Sequence, residues 1–220
     1  PSAVASVAGR VDWHDAGSTP NVHVSLFETP VIPVACVTNN VSAPQGVKAP
    51  SIRGVKAGYV VLCEGGRYEG RRGGGAAYNA FGKLIKKFDG DAGALHCRNF
   101  LDAVRQRDTT VLNAPVEVGH ASSAWCHYAN ASYLAGVPST PEQTAGLAKS
   151  EIPWKFTLGS ARQWMQACGL SIDEPPFVVG SWQSINQETG RFSENATQRA
   201  ERIFRPDYRT NYRIPTIASA

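Results

Sequence analysis

Ala92-Gly-Ala-Leu-His-Cys-Arg-Asn-Phe-Leu-Asp-Ala-Val-Arg-Gln-Arg107 is the stretch on which the fold reading turns. Up to this point apolar residues recur every second position; here Cys97, Phe100, Leu101 and Val104 fall at i, i+3, i+4 and i+7. That spacing predicts an amphipathic helix, with Asp91 placed as its N-cap. Upstream, Val4–Trp13 reads as a strand and Asp15–Pro20 as a turn. Val22, Val24, Leu26 and then Ile32, Val34, Cys36 alternate on two further strands, with Pro30 and Pro33 suggesting an edge or bulge. Tyr59–Cys63 is a short apolar strand, Gly65–Gly75 a glycine-rich loop, and 76–79 and 84–88 two more short strands.

Downstream the period stays helical. Ala121, Ala124, Trp125 and Tyr128 mark a helix over Val116–Leu134, closed by Gly136 and Pro138. Thr140-Pro-Glu-Gln143 carries a capping threonine, a first-position proline and the glutamine of a capping box. Ser160–Cys168 is a fourth, short helix ended by Gly169. Residues 171–220 read as a looser tail with a polar helix over Glu194–Phe204. Strands first and helices after predict an α+β fold: an open, mostly antiparallel sheet with helices packed on one face. The division expected is one domain over 1–170 and a tail, 171–220, packing on it or on a sister subunit.

Composition narrows the class. With 220 residues, 42% apolar and 18% charged, the chain is not a disordered one. A chain this long can bury about 70% of its extended surface, enough for a core without disulfides or metals. No apolar run approaches the length of a membrane span. A net charge of +4 does not by itself call for nucleic acid. The chain starts at Pro1, in residues that already read as a strand, and a processed or truncated end is expected there.

The five cysteines, Cys36, Cys63, Cys97, Cys126 and Cys168, have no CxxC and no regular spacing. Each is expected as a small buried hydrophobe rather than a disulfide or zinc ligand. The sequons at Asn40, Asn130 and Asn195 are short enough to arise by chance. His120 and His127 lie seven apart on one helix, about 10 Å along the axis, too far for one metal. Asp12, His14 and Asp15 sit in a turn, where Asp is expected for turn reasons.

The segment Glu64-Gly-Gly-Arg-Tyr-Glu-Gly-Arg-Arg-Gly-Gly-Gly75 contains neither GxGxxG nor a P-loop. It reads either as a mobile loop or as a ligand-facing one in which Arg67, Arg71 and Arg72 hold an acidic group. Arg191, Arg199, Arg202, Arg205, Arg209 and Arg213 alternate with Phe192, Phe204, Tyr208 and Tyr212 in the tail. Such a mixture can stack on single-stranded nucleic acid. Here, with Glu194, Glu201 and Asp207 among them, it reads as an arm packed on protein.

His96–Arg107, Leu112–His120 and Ser122–Asn130 together resemble the C-terminal domain of the Gfo/Idh/MocA oxidoreductases, in the branch of planctomycete-like bacteria. Gly9-Arg-Val, Asp15–Asn21, Tyr59–Gly66, Tyr208-Arg and Ile214-Pro215 fit the same pattern, in order along nearly the whole chain. The resemblance implies a parent protein with a preceding Rossmann domain that binds NAD or NADP, absent from these residues. It also implies that this chain is the substrate-binding and assembly half of a dehydrogenase acting on a sugar, polyol or related hydroxylated compound. No cofactor or catalytic residue carries over; Glu64, Arg67 and Tyr68, where a strand opens into the glycine loop, are the candidate substrate contacts. A homo-oligomer formed through the sheet face is expected, with no nucleic-acid or membrane partner. A stand-alone carbohydrate- or protein-binding module and part of an NAD-dependent glycosidase are the competing readings.

Overall fold

The structure is a computed structural model, and it describes residues 1–212 except 49, 150, 195 and 205–207. Asn195, Arg205, Asp207, Arg213, Ile214 and Pro215 lie outside the described residues, as does the Phe204 side chain. Contacts divide the chain into two units, Pro1–Val41 with Ser123–Ala220, and Ser42–Ser122.

The first unit is built on an antiparallel sheet. Its strands are β1 (Ala3–Gly9), β2 (Val22–Glu28) and β3 (Val34–Asn39). Its second half carries β8 (Val137–Pro138), β9 (Val178–Asn186) and β10 (Arg191–Phe192). The order is β10-β9-β1-β2-β3, with β8 also paired to β9. The strand β9 comes from residues expected to form the tail. It pairs with β1 through a bulge and so sits in the middle of the sheet. The edge expected around Ile32–Cys36 is real, since β3 pairs with β2 alone.

Every residue of β1 is buried, which requires cover on both faces. On one face Val4 and Ser6 meet α2 (Val116–Leu134), whose Trp125 ring stands 4.7 Å from Phe27. Gly180 lets the helix approach: a Cβ there would lie 2.2 Å from the Ser132 carbonyl oxygen. On the other face lie α3 (Pro141–Leu147) and α4 (Ile152–Ala167). Trp182 Nε1 donates to Leu147 O, and the Trp154 and Trp182 rings lie 4.9 Å apart. The α+β class and the antiparallel pairing are as expected, and helical cover extends to the second face as well. Thr140 and Gln143 form both bonds of the capping box ahead of α3. The helix α4 begins eight residues before the expected Ser160, with Pro153 in its first turn. A last helix, α5, spans Gln198–Phe204.

The second unit is a four-stranded antiparallel meander in the order β4-β5-β6-β7. Its strands are β4 (Tyr59–Cys63), β5 (Gly66–Arg71), β6 (Gly74–Asn79) and β7 (Leu84–Asp89). The expected glycine loop is therefore a tight β5–β6 hairpin. It is followed by α1 (His96–Gln106). Asp91 caps the turn before that helix, accepting from the Gly93 and Leu95 amides, while Leu95, the helix's own N-cap position, supplies no side-chain cap. The apolar positions of α1 remain open, with Phe100 58% and Val104 56% exposed; Ala103 is its buried residue.

The cysteines depart from expectation. Cys36, Cys63, Cys97 and Cys126 are exposed free thiols and Cys168 is half-buried. Cys36 lies on an edge strand and Cys63 at a hairpin end, where alternation does not enforce burial.

Candidate functional site

The β5–β6 hairpin carries a group of convergent polar side chains that lines a cleft. Alternation along β5 places Arg67, Glu69 and Arg71 on one face of the sheet and Tyr68 on the other. Register then brings Tyr78 opposite Arg67, Ala76 opposite Glu69, and Lys87 opposite Ala76 on the next strand. Glu69, Arg71, Arg72, Gly73–Gly75, Ala76, Tyr78 and Lys87 line an open cleft of about 320 Å³.

Glu69 is the organising group, with its side chain only 8% exposed. Arg67 Nε donates to its Oε1 at 2.8 Å, and the Arg71 guanidinium stands 3.8 Å from Oε2. The Arg67 guanidinium lies 4.5 Å above the Tyr78 ring, so a planar cation is held between a carboxylate and an aromatic face. Arg71 also donates to Gly54 O at 3.2 Å, and Arg72 Nε to Ala92 O at 3.2 Å. These carbonyls orient the two guanidinium groups without neutralising them.

The opposite face is aromatic. Tyr59 and Tyr68 stand 5.9 Å apart, and Tyr68 meets Phe88 edge-on at 5.7 Å. Glycines make room for these rings: a Cβ on Gly70 would fall 2.2 Å from Tyr59, and one on Gly75 2.1 Å from the Tyr68 hydroxyl. Burial, with a hydrogen bond between the two tyrosines, pushes the Tyr68 hydroxyl above its ordinary value.

The three sequence-derived candidates are thus separated. Arg67 is in the polar cluster, Tyr68 points away from it, and Glu64 lies in the turn between β4 and β5. Glu69, Tyr78 and Lys87 were not singled out from the sequence. The available signal was the period-two register through Arg67, Glu69 and Arg71, hidden by treating the glycines as a loop.

Elsewhere, Arg162 clamps Asp173 with two bonds of 2.8 Å, and Thr144 donates to the same carboxylate. This network ties α3 and α4 to the segment leading into β9. The Arg162 hydrogen bonds hold the Asp173 carboxyl below its ordinary value. His23, on β2, is half-buried 6.0 Å from the Tyr133 ring, its Nε2 enclosed and unpartnered, and desolvation lowers its pKa to about 4. Among the described residues no three His, Cys, Asp or Glu side chains gather as a metal set, and no helix is long and apolar enough to cross a membrane.

Comparison with protein-family models, curated proteins and solved structures finds no match to the chain.

Proposed function

We propose that this chain is the substrate-binding and assembly part of an NAD(P)-dependent oxidoreductase acting on a sugar, polyol or related hydroxylated compound. The observation that carries the reading is the cleft at the β5–β6 hairpin, beside the Arg67–Glu69–Tyr78 cluster. It lies in the segment where a strand opens into the glycine-rich stretch and where the sequence placed the candidate substrate contacts. Of those contacts Arg67 keeps its place in the proposal, joined by Glu69 and Tyr78 in place of Glu64 and Tyr68.

Hydride transfer needs a nicotinamide held beside the reacting carbon. On this reading the nicotinamide is bound by a Rossmann domain outside these residues. The chain's own part is to bind and orient the hydroxylated carbon skeleton. Rigid strands suit that task, because groups fixed on a sheet hold a reactant in one geometry.

Assembly belongs to the same reading. The four-stranded sheet and α1 expose Leu62, Ile85, Phe100 and Val104, apolar side chains of the kind that a subunit interface covers. Sedimentation of the chain at micromolar concentrations tests this part, and an exclusively monomeric boundary removes it.

Calorimetric titration of NAD(H) and NADP(H) into the 220-residue chain tests the division of labour. No heat of binding is expected from the chain alone. The product of the whole reading frame is expected to reduce the nicotinamide when given sugars or polyols. Tight nicotinamide binding by this chain alone overturns the reading.

A further inference from the structure

We propose that the cleft at the β5–β6 hairpin is an anion site, in which Arg71, Arg72 and Lys87 take the carboxylate or phosphate of a hydroxylated compound. Calling that compound the substrate rests on the oxidoreductase reading above; the anion site does not.

Glu69, Arg71, Arg72 and Lys87 line the cleft, three cations against one carboxylate. That carboxylate is already engaged, since Arg67 holds Oε1 at 2.8 Å from outside the lining. Arg71 reaches it only at 3.8 Å. Among the described residues neither Arg72 nor Lys87 is in an ion pair. The nearby acids do not change the balance. Asp91 is turned to the amides of Gly93 and Leu95, and Asp89, opposite Gly74 in register, pairs with none of these cations.

Donor chemistry points the same way. Arginine and lysine side chains donate and never accept. Against these three cations the lining sets one carboxylate, already paired with Arg67, and the Tyr78 hydroxyl, so donors with positive charge outweigh acceptors. A wall of oriented donors matches an oxyanion, for which charge-assisted bonds are the strong ones. The carbonyls of Gly54 and Ala92 fix Arg71 and Arg72 before any ligand arrives, so little ordering remains on binding. A volume of about 320 Å³ is enough for one small molecule.

The test is calorimetry on the 220-residue chain with gluconate, a hexose phosphate, glucose and inorganic phosphate. Gluconate or the hexose phosphate is expected to bind, weakening as salt is raised, while glucose does not. K87M and R72M alter exposed side chains; each is expected to retain the wild-type circular dichroism and to lose about tenfold in affinity for the acid. Equal binding of glucose, affinity unchanged in both variants, or no binding of either acid overturns the site. Inorganic phosphate binding as tightly as both acids also overturns it, as diffuse counter-ion attraction. The two readings fail separately. An acid-binding chain whose whole reading frame reduces no nicotinamide keeps the site and removes the oxidoreductase. A dehydrogenase of neutral polyols with a KM unmoved by K87M does the reverse.

Discussion

Ser6 Oγ donates to Ser132 Oγ at 3.1 Å, joining the central strand to α2 at a point where both residues are fully buried. The pair depends on Gly180 beside it. A Cβ there would stand 2.2 Å from the Ser132 carbonyl oxygen and 2.3 Å from its hydroxyl. Backbone cannot swing aside as a side chain does, so Gly180→Ala forces the helix off the sheet. A loss of about 1–3 kcal/mol is expected, the usual cost of overpacking. Ser6→Ala, which leaves the Ser132 hydroxyl buried without this partner, is expected to cost about 1–3 kcal/mol. Urea unfolding of the two variants checks both.

His23 makes stability depend on pH. Its pKa is lowered by burial from 6.5 to about 4 in the folded chain. Between these values the unfolded chain binds a proton that the folded chain refuses. Stability from this group is therefore complete above 6.5 and falls as pH is lowered toward about 4. The full span corresponds to about 3 kcal/mol. His23→Phe places an apolar ring at the site, and its stability is expected to lose this dependence. Melting temperatures between neutral and mildly acid pH read the difference directly.

The Arg162–Asp173 clamp acts in a lower window. Arg162 depresses the Asp173 carboxyl below its ordinary 3.8, so the unfolded chain takes up the proton first. Its contribution is fully present above 3.8 and is lost as pH falls through the lower folded value. Arg162→Met at neutral pH leaves the carboxylate, 20% exposed, without its cation. That is expected to cost about 2 kcal/mol, while Arg162→Lys restores only part, because lysine cannot make the two-bond clamp. A double-mutant cycle with Asp173→Asn isolates the pair.

Thr140 shows what the sequence made plain. Its capping box with Gln143 was legible in four letters, because both bonds are local. Thr140→Ala is expected to lose about 1 kcal/mol and Thr140→Ser to keep most of it, read by thermal unfolding. Nonlocal features were harder to see. Residues 178–186 become the partner of β1 through a bulge, and their buried positions include Gly180 and Gln183, so apolar alternation does not mark them. The hairpin at 66–79 was masked for another reason: Gly66, Gly70, Gly74 and Gly75 have no side chains to show a period, and Tyr59 and Tyr68 fill the space left at Gly70 and Gly75. The candidate cleft fell in that blind spot. Arg67 and Tyr68 are neighbours in sequence but face opposite sides once the segment is a strand. The division at Val41 and Ser123 depends on chain segments far apart in sequence, which composition does not reveal.

Glu69 links the stability of the hairpin to its charge. The carboxylate is 8% exposed and holds Arg67, itself only 23% exposed, in place above Tyr78. Glu69→Gln keeps the side-chain shape and one acceptor oxygen but removes the negative charge. Arg67 then lies half-desolvated without a counter-ion, and a loss of about 1–2 kcal/mol is expected in urea unfolding. The cleft changes in the opposite sense. With its one engaged carboxylate gone, Arg71, Arg72 and Lys87 face solvent with no opposing charge in the lining. Gluconate is expected to bind E69Q about threefold to tenfold more tightly at low salt, the gain shrinking as salt screens the added charge. A variant that is less stable and binds the acid better separates charge from packing at this hairpin. Weaker binding in E69Q would mean instead that Glu69 positions Arg71 for the ligand, and that the 3.8 Å contact between them orders the site.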